Sequence, residues 1–77
     1  MEKELDLRGF YCPVPIIKTK IEIDKACEGD LITIIADDPA AEEDLKRWAT
    51  RVGQEVVKIT RSGRDVFVTI KKTKQSL

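Results

Sequence analysis

The residues that could do chemistry are concentrated in one short segment, residues 8–15, where Cys12 directly precedes two prolines, Pro13 and Pro15. Proline is favoured in the first turn of a helix, where its missing N–H would lack an intrahelical partner in any case. The pattern therefore predicts a helix that begins at Pro13, with Cys12 as its N-cap. The positive end of the helix dipole stabilises an anion, so we expect Cys12 to titrate below the free-thiol pKa of about 8.5.

The alternative is that Cys12 is a small apolar residue that fills the start of the helix, since free cysteine is among the most buried residue types. Gly9 on one side and the two prolines on the other favour an exposed, shaped turn instead. In such a turn the free N–H groups of the first helical turn, for example that of Val14, would stabilise a thiolate or a persulfide built on it.

Residues 5–9 (Leu-Asp-Leu-Arg-Gly) followed by residues 12–15 (Cys-Pro-Val-Pro) resemble the signature of the TusA/SirA/YedF family of small sulfur-carrier proteins. A second block, residues 28–30 and then 36–40, falls where that family carries its two turns. The resemblance covers nearly the whole chain. It implies that Cys12 accepts a sulfane sulfur as a persulfide from a cysteine desulfurase or a rhodanese. The sulfur would then pass to an acceptor protein, in a relay that feeds tRNA thiolation, cofactor synthesis or sulfur metabolism.

A persulfide must dock against its partner's site, so we expect a transient protein interface around Cys12. Many family members carry an acidic or polar residue between the two prolines, where this chain has valine, a departure that leaves the thiol chemistry intact. The chain is expected to be a monomer that needs no cofactor and no metal. The partner-binding residues predicted beside Cys12 are Arg8, Tyr11, Pro13, Val14, Pro15, Asp37 and Asp38.

Composition narrows the class of protein further. The 77 residues predict a single domain, and 14 basic residues balance 14 acidic ones. This zero net charge argues against a dedicated nucleic-acid binder, which usually has a strongly basic face. No apolar stretch approaches the roughly 18 residues that span a bilayer, and the charged start, residues 1–4, is unlike a signal peptide. We therefore expect a cytoplasmic protein with no membrane segment.

The two cysteines, Cys12 and Cys27, do not predict a disulfide. They would lie at opposite ends of one helix, roughly 22 Å apart at about 1.5 Å per residue, whereas a disulfide needs Cα atoms within about 7 Å. Pro15 replaces the second cysteine of a Cys-x-x-Cys motif, which argues against a thioredoxin-like reductase. With no histidine in the chain, zinc would need more cysteines than are present. We interpret Cys27 as a packing residue at the end of the helix.

The hydrophobic pattern predicts the order βαβαββ, an α+β two-layer sandwich in which two helices cover one face of a four-stranded mixed sheet. Right-handed crossovers make the first two strands parallel, so both helix starts should lie at one end of the sheet, where ligand sites are commonly built. The predicted strands are residues 3–8, 31–35, 55–60 and 65–71, and the predicted first helix is residues 13–27.

The second helix is predicted to begin with Asp38 as N-cap and Pro39 as first helical residue, and to end at Gly53. Asp37 and Asp38 could equally serve only as turn and cap residues. The chain from Lys72 onward is polar, and we expect it to be flexible.

Two other functions compete with a sulfur carrier. In a small protein- or RNA-binding regulatory module, Cys12 would be structural and Cys12→Ser would leave function unchanged. Zero net charge and the lack of aromatic residues clustered on one strand weigh against RNA. A stand-alone cysteine hydrolase is the weakest alternative, because the chain has no histidine to act as base. The sequence therefore favours a sulfurtransferase-type carrier over an enzyme acting alone.

Overall fold

The computed structural model describes residues 2–11 and 14–73, which form one four-stranded sheet and two helices. The elements in chain order are β1 (Glu2–Asp6), α1 (Val14–Lys25), β2 (Leu31–Ala36), α2 (Ala41–Val52), β3 (Glu55–Ser62) and β4 (Asp65–Lys71). The strand order is β1-β2-β4-β3, with β1 parallel to β2 and the other two pairings antiparallel. The predicted α+β sandwich and its mixed sheet are confirmed.

The core lies between the helices and one face of the sheet. Alternate residues of the two central strands are buried there, because successive side chains of a strand point to opposite faces. β2 is also largely buried on its other face, where Ile35 is 9% exposed, as expected of an interior strand. The buried apolar core consists of Leu7, Ile23, Ile32, Ile34, Ala36, Ala41, Leu45, Ala49, Val66, Val68 and Ile70.

α1 is shorter than predicted, because it ends at Lys25 and not at Cys27. Its buried residues are Pro15, Thr19 and Ile23, spaced four apart. The Thr19 hydroxyl donates a hydrogen bond to the carbonyl oxygen of Pro15 at 2.7 Å, so this polar side chain is satisfied within its own helix. The predicted packing role of Cys27 is wrong. Cys27 is exposed, in the turn after α1, and its N–H donates to an Asp30 carboxylate oxygen at 3.0 Å.

α2 begins two residues later than predicted, and Asp38 is not its N-cap. The N-cap position is Ala40, which makes no side-chain cap. Asp38 instead holds the turn before the helix, because its carboxylate accepts the N–H of Ala40 at 3.0 Å and its carbonyl accepts that of Ala41 at 2.9 Å. The predicted end at Gly53 is confirmed. Gly53 has a φ of 81°, the left-handed conformation that glycine adopts without strain.

The chain at Lys72 is part of the folded structure. Its side chain is fully buried, and its ammonium group donates to the carbonyl oxygen of Ile23 in the last turn of α1. The backbone of Lys72 is paired with Asp30 and Gly29 at 2.9 and 2.7 Å. A lysine at the C-terminal end of a helix is favoured by the helix dipole. Lys72 therefore joins the end of β4 to the end of α1, and residues 74–77 lie outside the described part of the chain.

Within the described ranges, neither helix has the length and hydrophobicity needed to cross a membrane.

Candidate functional site

The two loops that follow β1 and β2 lie side by side, as the parallel pairing of these strands predicts. The N–H of Leu7 donates to the carbonyl of Ile35 at 2.8 Å, and the N–H of Gly9 donates to a carboxylate oxygen of Asp37 at 3.0 Å. The first of these loops leads to the cysteine–proline motif. Cys12, the predicted sulfur-carrying residue, and Pro13 lie outside the described residues.

Arg8 is fixed by two carboxylates at the same end of the sheet. Its Nε and Nη2 atoms donate to the two carboxylate oxygens of Asp6 at 2.9 and 2.7 Å, and Nη1 contacts Asp65 at 3.3 Å. The Arg8 side-chain hydrogen bonds, and then the Arg8 backbone N–H, lower the pKa of Asp6 to about 2. The same hydrogen bonds, which the guanidinium donates to Asp6, raise the pKa of Arg8. The guanidinium therefore links the end of β1 to the start of β4.

This pairing changes the role that Arg8 can have. A basic side chain near a cysteine can lower the pKa of its thiol, but the charge of Arg8 is already shared between Asp6 and Asp65. About half of the Arg8 side chain remains exposed, so it is still available to a partner protein. Asp65 is the residue that the sequence reasoning missed, because no local pattern connects residues that are 57 positions apart.

An apolar surface adjoins the loop on the α1 side. Tyr11 is 70% exposed and Phe10 40% exposed, while Ile17 and Ile21, one helical turn apart, are 53% and 49% exposed. The ammonium of Lys18 lies 5.2 Å from the centre of the Phe10 ring, within the range of a cation–π interaction. Lys18 thus connects the loop to α1. We call Phe10, Tyr11, Ile17 and Ile21 the α1 patch.

The predicted rim around Cys12 is only partly supported. Tyr11 is exposed, and its carbonyl oxygen accepts the N–H of Val14 at 2.9 Å at the start of α1. The prediction that the N–H of Val14 is free to stabilise a thiolate is therefore wrong. Val14 is half-buried. The prediction that Pro15 lies on the exposed rim is wrong for the free chain, because Pro15 begins the buried stripe of α1 and its side chain is almost completely covered.

The two aspartates after β2 serve different segments. Asp37 is half-buried and contacts the loop that follows β1, whereas Asp38 holds the turn into α2. The structure therefore brings Arg8, Tyr11 and Asp37 to the loop that leads to Cys12. It places Asp38 in the neighbouring turn and Pro15 beneath the surface.

A four-stranded mixed sheet with two helices on one face, and a Cys-Pro-Val-Pro motif before the first helix, define a class of small α+β domains. The chain belongs to the TusA family, since the family model described as Sulfurtransferase TusA matches residues 3–72. The Sulfur carrier protein TusA of Allochromatium vinosum is 31% identical over 72 residues, which cover 94% of this chain and 95% of that protein. A protein of Archaeoglobus fulgidus is 40% identical over 55 residues, 71% of each chain.

The fold is similar to that of a crystallised SirA-like protein from Desulfitobacterium hafniense. The TM-score is 0.82, and the superposition covers 94% of this chain and 99% of that one. Sequence identity is 23%, so this likeness concerns the fold alone.

Proposed function

We propose that this protein is a sulfur carrier that holds a sulfane sulfur as a persulfide on Cys12. The observation that carries the proposal is the family match, which spans residues 3–72 and so includes the Cys-Pro-Val-Pro motif. The named relative in Allochromatium vinosum, a sulfur carrier protein, aligns over nearly its full length. The position of the motif supports this function, because it follows a loop fixed at the end of the sheet beside an exposed apolar surface.

The transfer needs only one thiol. The Cys12 thiolate attacks the terminal sulfur of a persulfide on the donor protein, a new S–S bond forms on Cys12, and the donor cysteine leaves as a thiolate. In the second step an acceptor thiolate attacks the terminal sulfur of the Cys12 persulfide. The S–S bond to Cys12 breaks, and Cys12 leaves as a thiolate. Neither step needs an outside oxidant or reductant, and neither needs a resolving cysteine.

The α1 patch is the surface that we assign to partner docking. Protein interfaces are enriched in aromatic residues, and the patch contributes Phe10 and Tyr11 from the loop before Cys12. Among the large apolar residues described as exposed, only Val57 lies outside this patch. A donor such as a cysteine desulfurase or a rhodanese, and then an acceptor protein, would bind here in turn.

In this proposal the relay is cytoplasmic, and the acceptor would serve tRNA thiolation, cofactor synthesis or sulfur metabolism. In this proposal Arg8, within the loop, and Val14, at the start of α1, complete the partner-binding surface. Asp38, in the adjoining turn, is the remaining candidate for partner contact.

Intact-mass analysis tests the carrier function. Wild type, Cys12→Ser and Cys27→Ser are incubated with a cysteine desulfurase and free cysteine, and separately with a loaded rhodanese. We expect wild type and Cys27→Ser to gain one sulfur atom that a reductant removes, and Cys12→Ser to gain none. Gain in Cys12→Ser but not in Cys27→Ser would move the site to the exposed Cys27. No gain with any donor would favour a regulatory module in which Cys12 is structural.

A further inference from the structure

We infer that Asp37 is a positioning residue, which fixes the loop leading to Cys12 through its side-chain carboxylate. The contact that carries this inference joins the N–H of Gly9 to Asp37 Oδ1 at 3.0 Å. Gly9 precedes Cys12 by three residues in the sequence. The consequence for sulfur transfer rests on the proposed function, whereas the structural role of Asp37 does not.

The carboxylate continues the pairing of β1 with β2 beyond the last strand residue. The N–H of Leu7 donates to the backbone carbonyl of Ile35 at 2.8 Å. In a parallel ladder the next equivalent bond comes two residues later on each strand, which would join the N–H of Gly9 to the carbonyl of Asp37. The Asp37 side chain supplies the acceptor instead. The loop is therefore attached to β2 at one more point, although β2 itself ends at Ala36.

The conformation of Gly9 shows that this attachment occurs at a tight turn. Gly9 has a φ of +89°, and a Cβ built on it would meet no atom within 4 Å. Space would allow a side chain at this position, so only the left-handed backbone conformation favours glycine. The turn directs the chain from β1 toward α1, and the Asp37 carboxylate accepts the N–H of Gly9 at this turn.

The contacts of Arg8 and Asp38 show that these neighbouring residues bind groups other than the N–H of Gly9. The carboxylate contacts of Arg8 are to Asp6 and Asp65, so the pairing of Arg8 described above does not involve Asp37. The carboxylate of Asp38 accepts the N–H of Ala40, on the α2 side. A separate aspartate, Asp44 of α2, lies 3.8 Å from Arg47 and serves as the control for Asp37.

Three variants test the inference: Asp37→Asn, which keeps a side-chain oxygen acceptor, Asp37→Ala, which removes it, and the control Asp44→Ala. The readout is the rate at which the Gly9 amide proton exchanges with water, measured by NMR. A hydrogen bond to a charged group has a net worth that corresponds to a change of roughly tenfold or more. We expect Asp37→Ala to speed Gly9 exchange by that factor, Asp37→Asn to speed it less because a neutral acceptor remains, and Asp44→Ala to leave it close to wild type.

Sulfur loading of Cys12, measured on the same variants, should fall in Asp37→Ala and fall less in Asp37→Asn. Unchanged Gly9 exchange in Asp37→Ala would overturn the inference. Equal loss of loading in Asp37→Asn and Asp37→Ala, with Gly9 still protected in Asp37→Asn, would also overturn it and assign the carboxylate to charge or partner contact. If wild type takes up no sulfur, the proposed function fails, while the exchange rates still decide the role of Asp37.

Discussion

The two helices have the same length but different surfaces. α2 buries Ala41, Leu45 and Ala49 and covers its exposed side with charge. Its first turn is acidic, which the helix dipole favours, and Lys46 lies within 4 Å of both Glu42 and Glu43. α1 has no acidic residue in its first turn. Its exposed side combines the ion pair of Lys20 and Asp24 with Ile17 and Ile21.

This difference indicates that the helices have different tasks. Both helices also pair with the sheet, since Glu42 of α2 binds Arg61 of β3 and Glu22 of α1 binds Lys3 of β1. However, α1 leaves Ile17 and Ile21 exposed to water beside the loop that leads to Cys12, which is less favourable than burying them. Exposed apolar groups next to a reactive segment are typical of a surface that binds a partner. We therefore assign partner recognition to α1.

The largest expected effect is on the free energy of unfolding, and it distinguishes a buried residue from an exposed one. Leu45→Ala on α2 removes a fully buried side chain and should lower the free energy of unfolding by about 2–5 kcal/mol. Ile17→Ala on α1 removes a side chain that is half in water, and should lower it by about 0.5 kcal/mol or less. Urea denaturation followed by circular dichroism measures both. Equal losses would mean that Ile17 is packed as tightly as Leu45, and the comparison would fail.

A smaller effect is the acid titration of Asp6, whose carboxylate pairs with Arg8 in the loop before α1. The pKa of Asp6 is lowered to about 2 from a usual 3.8, chiefly by the Arg8 side chain. A carboxyl whose pKa is lower in the folded state stabilises the protein above its unfolded pKa, and that contribution is lost as the pH falls. We expect the Asp6–Arg8 link to weaken between about pH 4 and pH 2.

Carboxyl-detected NMR titration checks this effect. Arg8→Gln should return the Asp6 pKa toward 3.8, and Arg8→Lys should return it part of the way, because lysine cannot donate the bidentate pair. Arg64→Gln, in the turn after β3, is the control and should leave the Asp6 midpoint unchanged. An Asp6 midpoint near 3.8 in wild type would show that Arg8 is not paired as described.

Much of the fold could be predicted because local patterns and topology rules agree. The apolar and mostly β-branched run in residues 31–35 predicts an interior strand, and Gly63, in the short connection between the predicted strands 55–60 and 65–71, predicts a hairpin turn. Both predictions are confirmed: β2 lies inside the sheet, and Gly63 has a φ of 62° between the paired residues Ser62 and Asp65. These features depend on residues near each other in the chain.

The errors arose where distant parts of the chain decide the outcome. Lysine is rarely fully buried, so nothing in the sequence indicated that Lys72 would reach the carbonyl of Ile23, 49 residues away. The apolar periodicity of α1 was ambiguous, and packing against the sheet selected the stripe that contains Pro15 and Thr19 over the one that contains Ile17.

The site was predictable in part. The parallel pairing of the first two strands placed the two loops together, and the Gly9–Asp37 hydrogen bond confirms that they are neighbours. The sequence could not distinguish the tasks of Asp37 and Asp38, because both are turn formers with the same side chain. Their different contacts depend on which N–H groups the folded loops present.

The most direct test of the assignment of α1 to partner recognition is the rate of persulfide loading from a single donor. Ile17→Ser combined with Ile21→Ser is compared with Val57→Ser, which alters an exposed apolar residue on β3. We predict that the second-order rate constant for loading falls roughly tenfold or more in the α1 variant, because buried apolar contacts dominate binding, and that Val57→Ser keeps the wild-type rate. Alkylation of Cys12 by iodoacetamide should be equal in all three proteins. Loading at the wild-type rate in the α1 variant, or an equal fall in Val57→Ser, would contradict the account.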